Sequence, residues 1–245
     1  MGELGQAAHL PLDMARLKRL VLPGSAHHVI QRAAHGSLAF VSDVDREQFM
    51  LALRRSSAEH RVSVHAYALL DEHFQLLATP TEADDLGRMM QALSRFYVPP
   101  FNRRHGRRGA LWEGRFRAAP VGGPEYLLRC MRYVEQSPRR GGWVGPLDEF
   151  CWSSAAEHLG RRVTPTPCVV PSDSAYWQLG NTPFEREVAY AQLLESPLQA
   201  GAVAEIEATT LKGWAMGSGE FIACLATEAP RRPVARARGR PRKVA

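Results

Sequence analysis

Long apolar runs are absent from this sequence, and no stretch of about 18 apolar residues predicts a membrane span. The basic start and short apolar centre of a signal peptide are also missing, so the expected location is the cytoplasm. Cysteine is scarce, with neither the CxxC spacing of a zinc knuckle nor a disulfide framework: Cys130, Cys151, Cys168 and Cys224. Apolar residues still make up 45% of the 245, enough to bury a core.

Acidic residues are missing from the end of the chain. Residues 231–245 carry seven of the 31 basic residues, which leaves the rest near neutral with 24 basic against 25 acidic residues. A second basic cluster, interrupted only by Glu113, consists of Arg95, Arg103, Arg104, Arg107, Arg108, Arg115 and Arg117. Two separate basic clusters predict a polyanion partner.

Aromatic rings stand among the arginines of the second cluster, at Trp112 and Phe116. Basic groups interleaved with aromatic rings suit a nucleic-acid backbone with bases stacked beside it. A solvated, charged helix end explains the same pattern equally well. We expect these arginines to bind nucleic acid, and the second explanation stays open.

The basic end of the chain contains Arg238-Gly239-Arg240-Pro241-Arg242-Lys243. It resembles an AT-hook, in which an extended Arg-Gly-Arg-Pro core lies in a narrow A·T minor groove. The alternative is an unspecific basic arm that adds salt-dependent affinity. Because proline, glycine and arginine without an apolar pattern cannot build a core, residues 231–245 are expected to be disordered. Residues 1–13 are expected to be a disordered leader.

The order of predicted elements is strand, helix, hairpin, helix, strand, helix. It fits an α+β fold with a ferredoxin-like split β-α-β unit and an antiparallel sheet. The second helix begins at Asp84-Asp85, and Pro99-Pro100 is expected to interrupt it. Residues 14–160 are expected to form this domain, and residues 161–230 a small helical C-terminal region.

Two polar side chains lie two residues apart on the second strand of the predicted hairpin. Strand side chains alternate between faces, so His73 and Gln75 point the same way while Phe74 points the other way. An imidazole and an amide oxygen side by side can hold a divalent metal. The alternative is a strand with one surface face. On the first strand, the same alternation places His28, with Ile30 and Arg32, on one face as either a site neighbour or a structural histidine.

The helix that follows the last predicted strand carries a tyrosine beside its core stripe. Leu127, Cys130, Met131 and Val134 form that stripe at helical spacing. Tyr133 lies off its centre, beside Arg129 and Arg132, so its hydroxyl can reach a site. The alternative is a tyrosine that packs with its hydroxyl in water.

Several motifs, in order, resemble the REP-associated single-tyrosine transposases of the His-hydrophobic-His nuclease superfamily. Each motif is unspecific alone, and the resemblance rests on the ordered set between about residues 14 and 160. The motifs are Leu22-Pro23-Gly24 with His28-Val29, His65-Ala66-Tyr67, Glu72-His73-Phe74-Gln75-Leu76-Leu77, Phe101-Asn102-Arg103-Arg104-His105-Gly106, Leu111-Trp112-Glu113-Gly114-Arg115-Phe116, Tyr133 with Pro138 and Gly142-Trp143-Val144, and Trp152-Ser153-Ser154.

The resemblance implies a metal-dependent endonuclease and strand transferase that acts on single-stranded, hairpin-forming repeat DNA. Tyr133 would be the nucleophile, leaving a 5′-phosphotyrosine link and a free 3′-OH. His73 would be the first ligand of Mg²⁺ or Mn²⁺, and Gln75 stands where the family usually has a second histidine. A third ligand stays open between Ser137 and Gln136. Arg129 and Arg132 join the expected DNA-binding residues.

Two other functions fit the same sequence. Replacement of the second histidine by Gln75 favours a catalytically impaired DNA-binding protein, such as a regulator of hairpin repeats. An RNA-binding protein fits the charge equally well, and only the resemblance disfavours it. The resemblance also raises the expectation of a homodimer and of a location at the nucleoid, without indicating an interface.

Overall fold

One five-stranded sheet forms the centre of the protein, seen in a computed structural model that describes residues 19–34, 36–162, 174–229 and 231–234. The strand order is β2-β3-β1-β4-β5. The first four strands pair antiparallel, and the short β5 pairs parallel with β4. This confirms the α+β prediction, and the order of β1 to β4 is that of a ferredoxin-like sheet. The strands are β1 (Ala26–Arg32), β2 (Val62–Leu70), β3 (His73–Pro80), β4 (Arg117–Gly122) and β5 (Met216–Gly217).

Helices cover both faces of the sheet. The Asp45 carboxylate accepts a hydrogen bond from the Ser42 backbone N–H at 3.0 Å, which fixes the start of the first helix. The helices are α1 (Asp43–Glu59), α2 (Asp85–Arg104), α3 (Pro124–Glu135), α4 (Ser137–Arg140), α5 (Ala155–His158), α6 (Pro183–Glu195), α7 (Ala200–Lys212) and α8 (Gly219–Glu228), with a 3₁₀ turn at Trp177–Leu179.

Strand alternation divides the core into two layers. Phe74 and Leu76 of β3 pack with α1 and α2 on one face, in a core that includes Phe49. Leu77 of β3 packs on the other face with α3, α6 and α7, in a core that includes Met131. We call the second face the α3 face. His73 and Gln75 belong to it because they share the parity of Leu77.

The helix α2 continues through Pro99 and Pro100, so the predicted interruption is wrong. Each proline removes one backbone donor at a cost of about 3 kcal/mol, but its fixed φ is compatible with a helix. Tyr97 and Phe101 flank the pair and are 1% and 0% exposed. Burial of two such rings contributes about 1.5–3 kcal/mol each, which offsets much of that cost.

The C-terminal segment is helical, as predicted, and packs directly on the α3 face. Tyr190 of α6 and Ile206 of α7 belong to the same core as Met131 of α3. The domain boundary at residue 160 stays a prediction. The expected leader at 1–13 and the AT-hook-like residues 238–243 lie outside the described residues.

A search of the described helices finds none that is both long enough and apolar enough to cross a bilayer.

Candidate active site

Three polar side chains from two neighbouring strands meet on the α3 face. β1 and β3 pair Ile30 with Gln75 and Arg32 with His73, which brings His28 diagonally next to Gln75. The Gln75 amide nitrogen lies 3.2 Å from His73 Nε2, and its Oε1 lies 3.1 Å from His28 Nε2. Gln75 therefore bridges the two imidazoles.

Both imidazoles of this cluster are neutral near pH 7. Burial, together with the positive charges of Arg32 and Arg140, lowers the pKa of His73 to about 4. Burial also lowers the pKa of His28 to about 4, although its hydrogen bond to Gln75 works in the opposite direction. A neutral imidazole retains the lone pair that a metal ligand or a hydrogen-bond acceptor needs.

Tyr133 of α3 lies against the same cluster. Its ring meets the His28 ring edge-on, with centroids 5.3 Å apart. The Arg140 guanidinium lies 4.0 Å from the Tyr133 ring centroid and donates to the Tyr133 carbonyl. The structure therefore brings the predicted nucleophile together with His73 and Gln75 through His28.

The Tyr133 hydroxyl is protonated and held. It donates to Glu207 Oε1 at 3.2 Å. Burial raises the pKa of Tyr133 to about 12; the Arg140 charge lowers it and the Glu207 charge raises it. The side chain is 4% exposed. In this conformation the phenol is a poor nucleophile with little access for a phosphate.

The helix α7 supplies two contacts that were absent from the sequence-based prediction. Glu207 holds the Tyr133 hydroxyl, and Thr210 Oγ1 lies 2.7 Å from His28 Nδ1. These residues are three apart on α7 and therefore share one face of the helix. The sequence offers only this spacing as a signal, and nothing local links it to His28 or Tyr133.

Neither residue considered as a third metal ligand faces this cluster through its polar group. Ser137 Oγ donates to the Val134 carbonyl at 2.6 Å. The Gln136 amide donates to the Leu194 and Ser196 carbonyls at 2.8 and 2.7 Å. The third polar group beside His73 and Gln75 is His28. The sequence indicates His28 as a possible site neighbour only through its position on the same strand face as Ile30 and Arg32.

The cluster suits a divalent cation without supplying any negative charge. His73 offers an imidazole nitrogen, and Gln75 offers an amide oxygen if the amide rotates toward the metal. Both ring nitrogens of His28 already have hydrogen-bond partners. Among the described residues, there is no group of three or more His, Cys, Asp or Glu side chains placed to hold a metal ion. A metal site at His73 and Gln75 therefore stays a prediction, and it would require the Gln75 amide to rotate.

Arginines surround the end of the sheet where His73 lies. Arg32 pairs with His73, and Arg117 pairs with Ile30 one strand away. A cavity of about 240 Å³ next to β4 is lined by Arg19, Arg115, Arg117, Lys212 and Arg231, with Glu113 as its one acid. That cavity does not include a residue of the cluster. The charges of Arg32 and Arg140 act on His73 itself, and the cavity that contains His73 is lined by Asp71 and Glu72.

The predicted DNA-binding arginines differ in what they contact. Arg104 pairs with the buried Asp45, and Arg132 donates to the Leu193 and Ser196 carbonyls at 3.0 Å each. Arg107 donates to Ser37 at 3.2 Å, and Arg129 lies 3.4 Å from Glu205. Arg104 is nevertheless exposed, and so are Arg95, Arg103, Arg108, Arg115 and Arg117. Arg238, Arg240, Arg242 and Lys243 lie outside the described residues.

Comparisons with known proteins give a likeness of fold. No protein-family model matches the chain, and no curated protein matches it. Among solved structures, one of the REP-associated tyrosine transposase bound to a REP hairpin superposes with a TM-score of 0.52 and 16% sequence identity. The match covers 66% of this chain and 97% of that one. At this identity, the match establishes a shared fold.

Proposed function

We propose that this protein is a metal-dependent nuclease and strand transferase that cuts single-stranded or hairpin DNA through Tyr133. One observation carries the proposal: Tyr133, His28, Gln75 and His73 form a continuous line of contacts although they come from three different elements. The arginine charges that act on His73 and the fold shared with a hairpin-bound transposase support DNA as the substrate.

The chain's own residues would position both reactants. A bound Mg²⁺ or Mn²⁺ would neutralise charge that develops on the phosphate. His73 and Gln75 would hold that ion, and His28 would orient the Gln75 amide. Arg140, beside the Tyr133 ring, would stabilise the phenolate and the phosphate. Tyr133 Oη would form a bond to phosphorus while the bond to the 3′ oxygen breaks, and water would take the phenol proton and protonate the 3′ oxygen.

The conformation described here is closed. Glu207 places a carboxylate on the attacking oxygen, where a DNA phosphate would have to approach. Two anions in one position repel each other, so α7 must withdraw from Tyr133 before attack. Reaction therefore requires displacement of the α7 contacts.

The metal requirement tests this function. Incubation of the purified protein with an end-labelled DNA hairpin and Mn²⁺ or Mg²⁺ is expected to give a covalent adduct on a denaturing gel, and EDTA is expected to prevent it. His73→Ala is expected to abolish the adduct because it removes the first ligand. His60→Ala at the end of α1, on the other side of the sheet, is the matched control and should react normally.

Hairpin binding without an adduct in any of these metals would favour the DNA-binding alternative, in which Gln75 has replaced a required histidine. Recovery of the adduct by Gln75→His would establish that alternative. Tighter binding to the RNA version of the hairpin would instead favour an RNA-binding protein.

Removal of the Glu207 carboxylate is expected to speed adduct formation. A hydrogen bond to a charged group contributes about 1.5–3 kcal/mol, so Glu207→Ala should raise the initial rate roughly tenfold or more. The matched control is Glu205→Ala, which removes a carboxylate from the same helix where it contacts Arg129. A slower reaction of Glu207→Ala alone would show that Glu207 is a proton acceptor for Tyr133.

A further inference from the structure

A cavity of about 570 Å³ lies beside the candidate active site and shares His73 with it. The turn between β2 and β3 forms one wall, and the segment that follows α4 forms the other. This volume falls within the range of about 300–1,000 Å³ that is usual for small-molecule sites. The cavity therefore offers space for a group attached to whatever binds at His73.

An indole forms part of the second wall. Trp143 is 38% exposed, and its ring lies 5.4 Å from the Phe150 ring, edge to face. Its Nε1–H donates to the Pro146 carbonyl at 3.1 Å, and its backbone N–H donates to the Pro138 carbonyl at 2.9 Å. The donor of the indole is thus satisfied within the segment, and the flat apolar surface is what remains for a ligand.

This wall packs closely against the sheet. A Cβ on Gly141 would lie 2.8 Å from Leu70 Cδ2, at the end of a side chain, and 3.3 Å from the Pro138 carbonyl oxygen. Gly142 has a φ of +98°, a conformation that favours glycine. The two glycines therefore let the chain turn close to β2 just before Trp143, which lines the same cavity as His73.

The opposite wall carries hydrogen-bond acceptors. Asp71 is paired with Arg46. Glu72 lines the cavity and is exposed, and among the described residues it has no ion-pair partner, so its carboxylate is available to accept hydrogen bonds. A base with an amino group can donate to such a carboxylate. Thymine presents two carbonyl oxygens beside its single donor, which a carboxylate repels.

We propose that this cavity binds one unpaired, amino-bearing DNA base, stacked on Trp143 and hydrogen-bonded to Glu72, from the nucleotide next to the reacting phosphate. The proposal rests on the proposed function, because a phosphate placed at His73 and Tyr133 puts the neighbouring base at the mouth of the cavity. Stacking on aromatic rings and contacts to base edges are the usual means of reading unpaired bases.

Fluorescence of 2-aminopurine tests the stacking. The probe is a DNA stem-loop with single-stranded flanks in which 2-aminopurine replaces one base at a time, mixed with the full chain in EDTA. Quenching is expected at one flank position, and Trp143→Ala should remove it and weaken binding roughly tenfold, the order of one lost base–aromatic stack. Trp143→Phe should retain most of the affinity. Phe184→Ala, which removes an aromatic that is 73% exposed on α6, should change neither signal.

Base selectivity tests the carboxylate. With the same stem, cytosine at the quenched position should bind more tightly than thymine, and Glu72→Gln should remove the preference because an amide can donate as well as accept. A bound hairpin without position-specific quenching, or quenching unchanged in Trp143→Ala, would overturn the proposal.

The proposed nuclease function and the proposed base site can be contradicted independently. Both readouts are taken in EDTA and need no chemistry. A metal-dependent adduct without quenching would overturn the base site alone, and quenching without an adduct would overturn the nuclease function alone.

Discussion

Replacement of Tyr133 by phenylalanine is expected to abolish the covalent adduct with hairpin DNA while leaving hairpin affinity essentially unchanged. The change removes one oxygen and keeps the ring between His28 and Arg140. No phosphorus–oxygen bond can form without that oxygen, so the loss should be complete. The measurement pairs a denaturing gel in Mn²⁺, which reports the adduct, with fluorescence anisotropy in EDTA, which reports binding.

The matched control is Tyr126→Phe. Tyr126 lies seven residues earlier on the same side of α3, about two turns away, with the Arg129 guanidinium 4.6 Å from its ring centroid. Both tyrosines thus combine an aromatic ring on α3 with a nearby arginine, but Tyr133 alone contacts His28 in the described structure. An adduct that survives in Tyr133→Phe and disappears in Tyr126→Phe would identify Tyr126 as the nucleophile instead.

Local periodicity accounts for the parts of the site that the sequence predicts. Alternation along β3 places His73 and Gln75 on one face, and the helical stripe of α3 leaves Tyr133 beside it. The same alternation on β1 selects His28, but its contact with Gln75 depends on how β1 and β3 pair. Strand pairing is a tertiary property, so the sequence alone does not decide whether His28 is a site residue or a structural histidine.

Long-range packing accounts for what the sequence does not predict. Glu207 and Thr210 of α7 are 74 and 182 residues from the side chains that they contact. No spacing rule spans such a separation. Gln136 has the right chain position for a third ligand, but the end of α6 takes its amide. The continuation of α2 through Pro99 and Pro100 has the same origin, since neighbouring buried rings override a local helix breaker.

A buried polar cluster joins the C-terminal helices to the rest of the fold. Glu135, at the end of α3, is 0% exposed. Its carboxylate accepts hydrogen bonds from Ser154 Oγ and His158 Nδ1, both at 2.5 Å, and from Tyr190 Oη at 2.7 Å. One carboxylate therefore connects α3 with the segment at α5 and with α6.

Replacement of Glu135 by alanine is expected to lower the free energy of unfolding by about 3–5 kcal/mol, the usual cost of removing one partner from a buried ion pair. The change leaves three buried donors without their acceptor. Tyr190→Phe removes a single donor to the carboxylate and should cost less, about 1.5–3 kcal/mol. Urea unfolding followed by tryptophan fluorescence measures both, and Glu135→Gln provides a variant of nearly native volume if the alanine variant does not fold. Equal, small losses in all three would show that the cluster contributes little.

The pH dependence of the free energy of unfolding tests whether His158 is the charged partner of Glu135. Burial lowers the pKa of His158, but the Glu135 carboxylate raises it, and the net pKa is raised above its usual value of about 6.5. The His158 contribution to stability is therefore fully present below about pH 6.5 and is lost as the pH rises through the raised pKa. Without the Glu135 carboxylate, the effect of burial dominates, so in Glu135→Gln the pKa of His158 falls below its usual value. A buried, neutral His158 then destabilises the folded protein at low pH, and the stability of this variant should rise as the pH rises toward about 6.5. The difference in unfolding free energy between the wild type and Glu135→Gln should thus be largest at low pH and shrink as the pH rises. A constant difference across this range would contradict a charged His158–Glu135 pair.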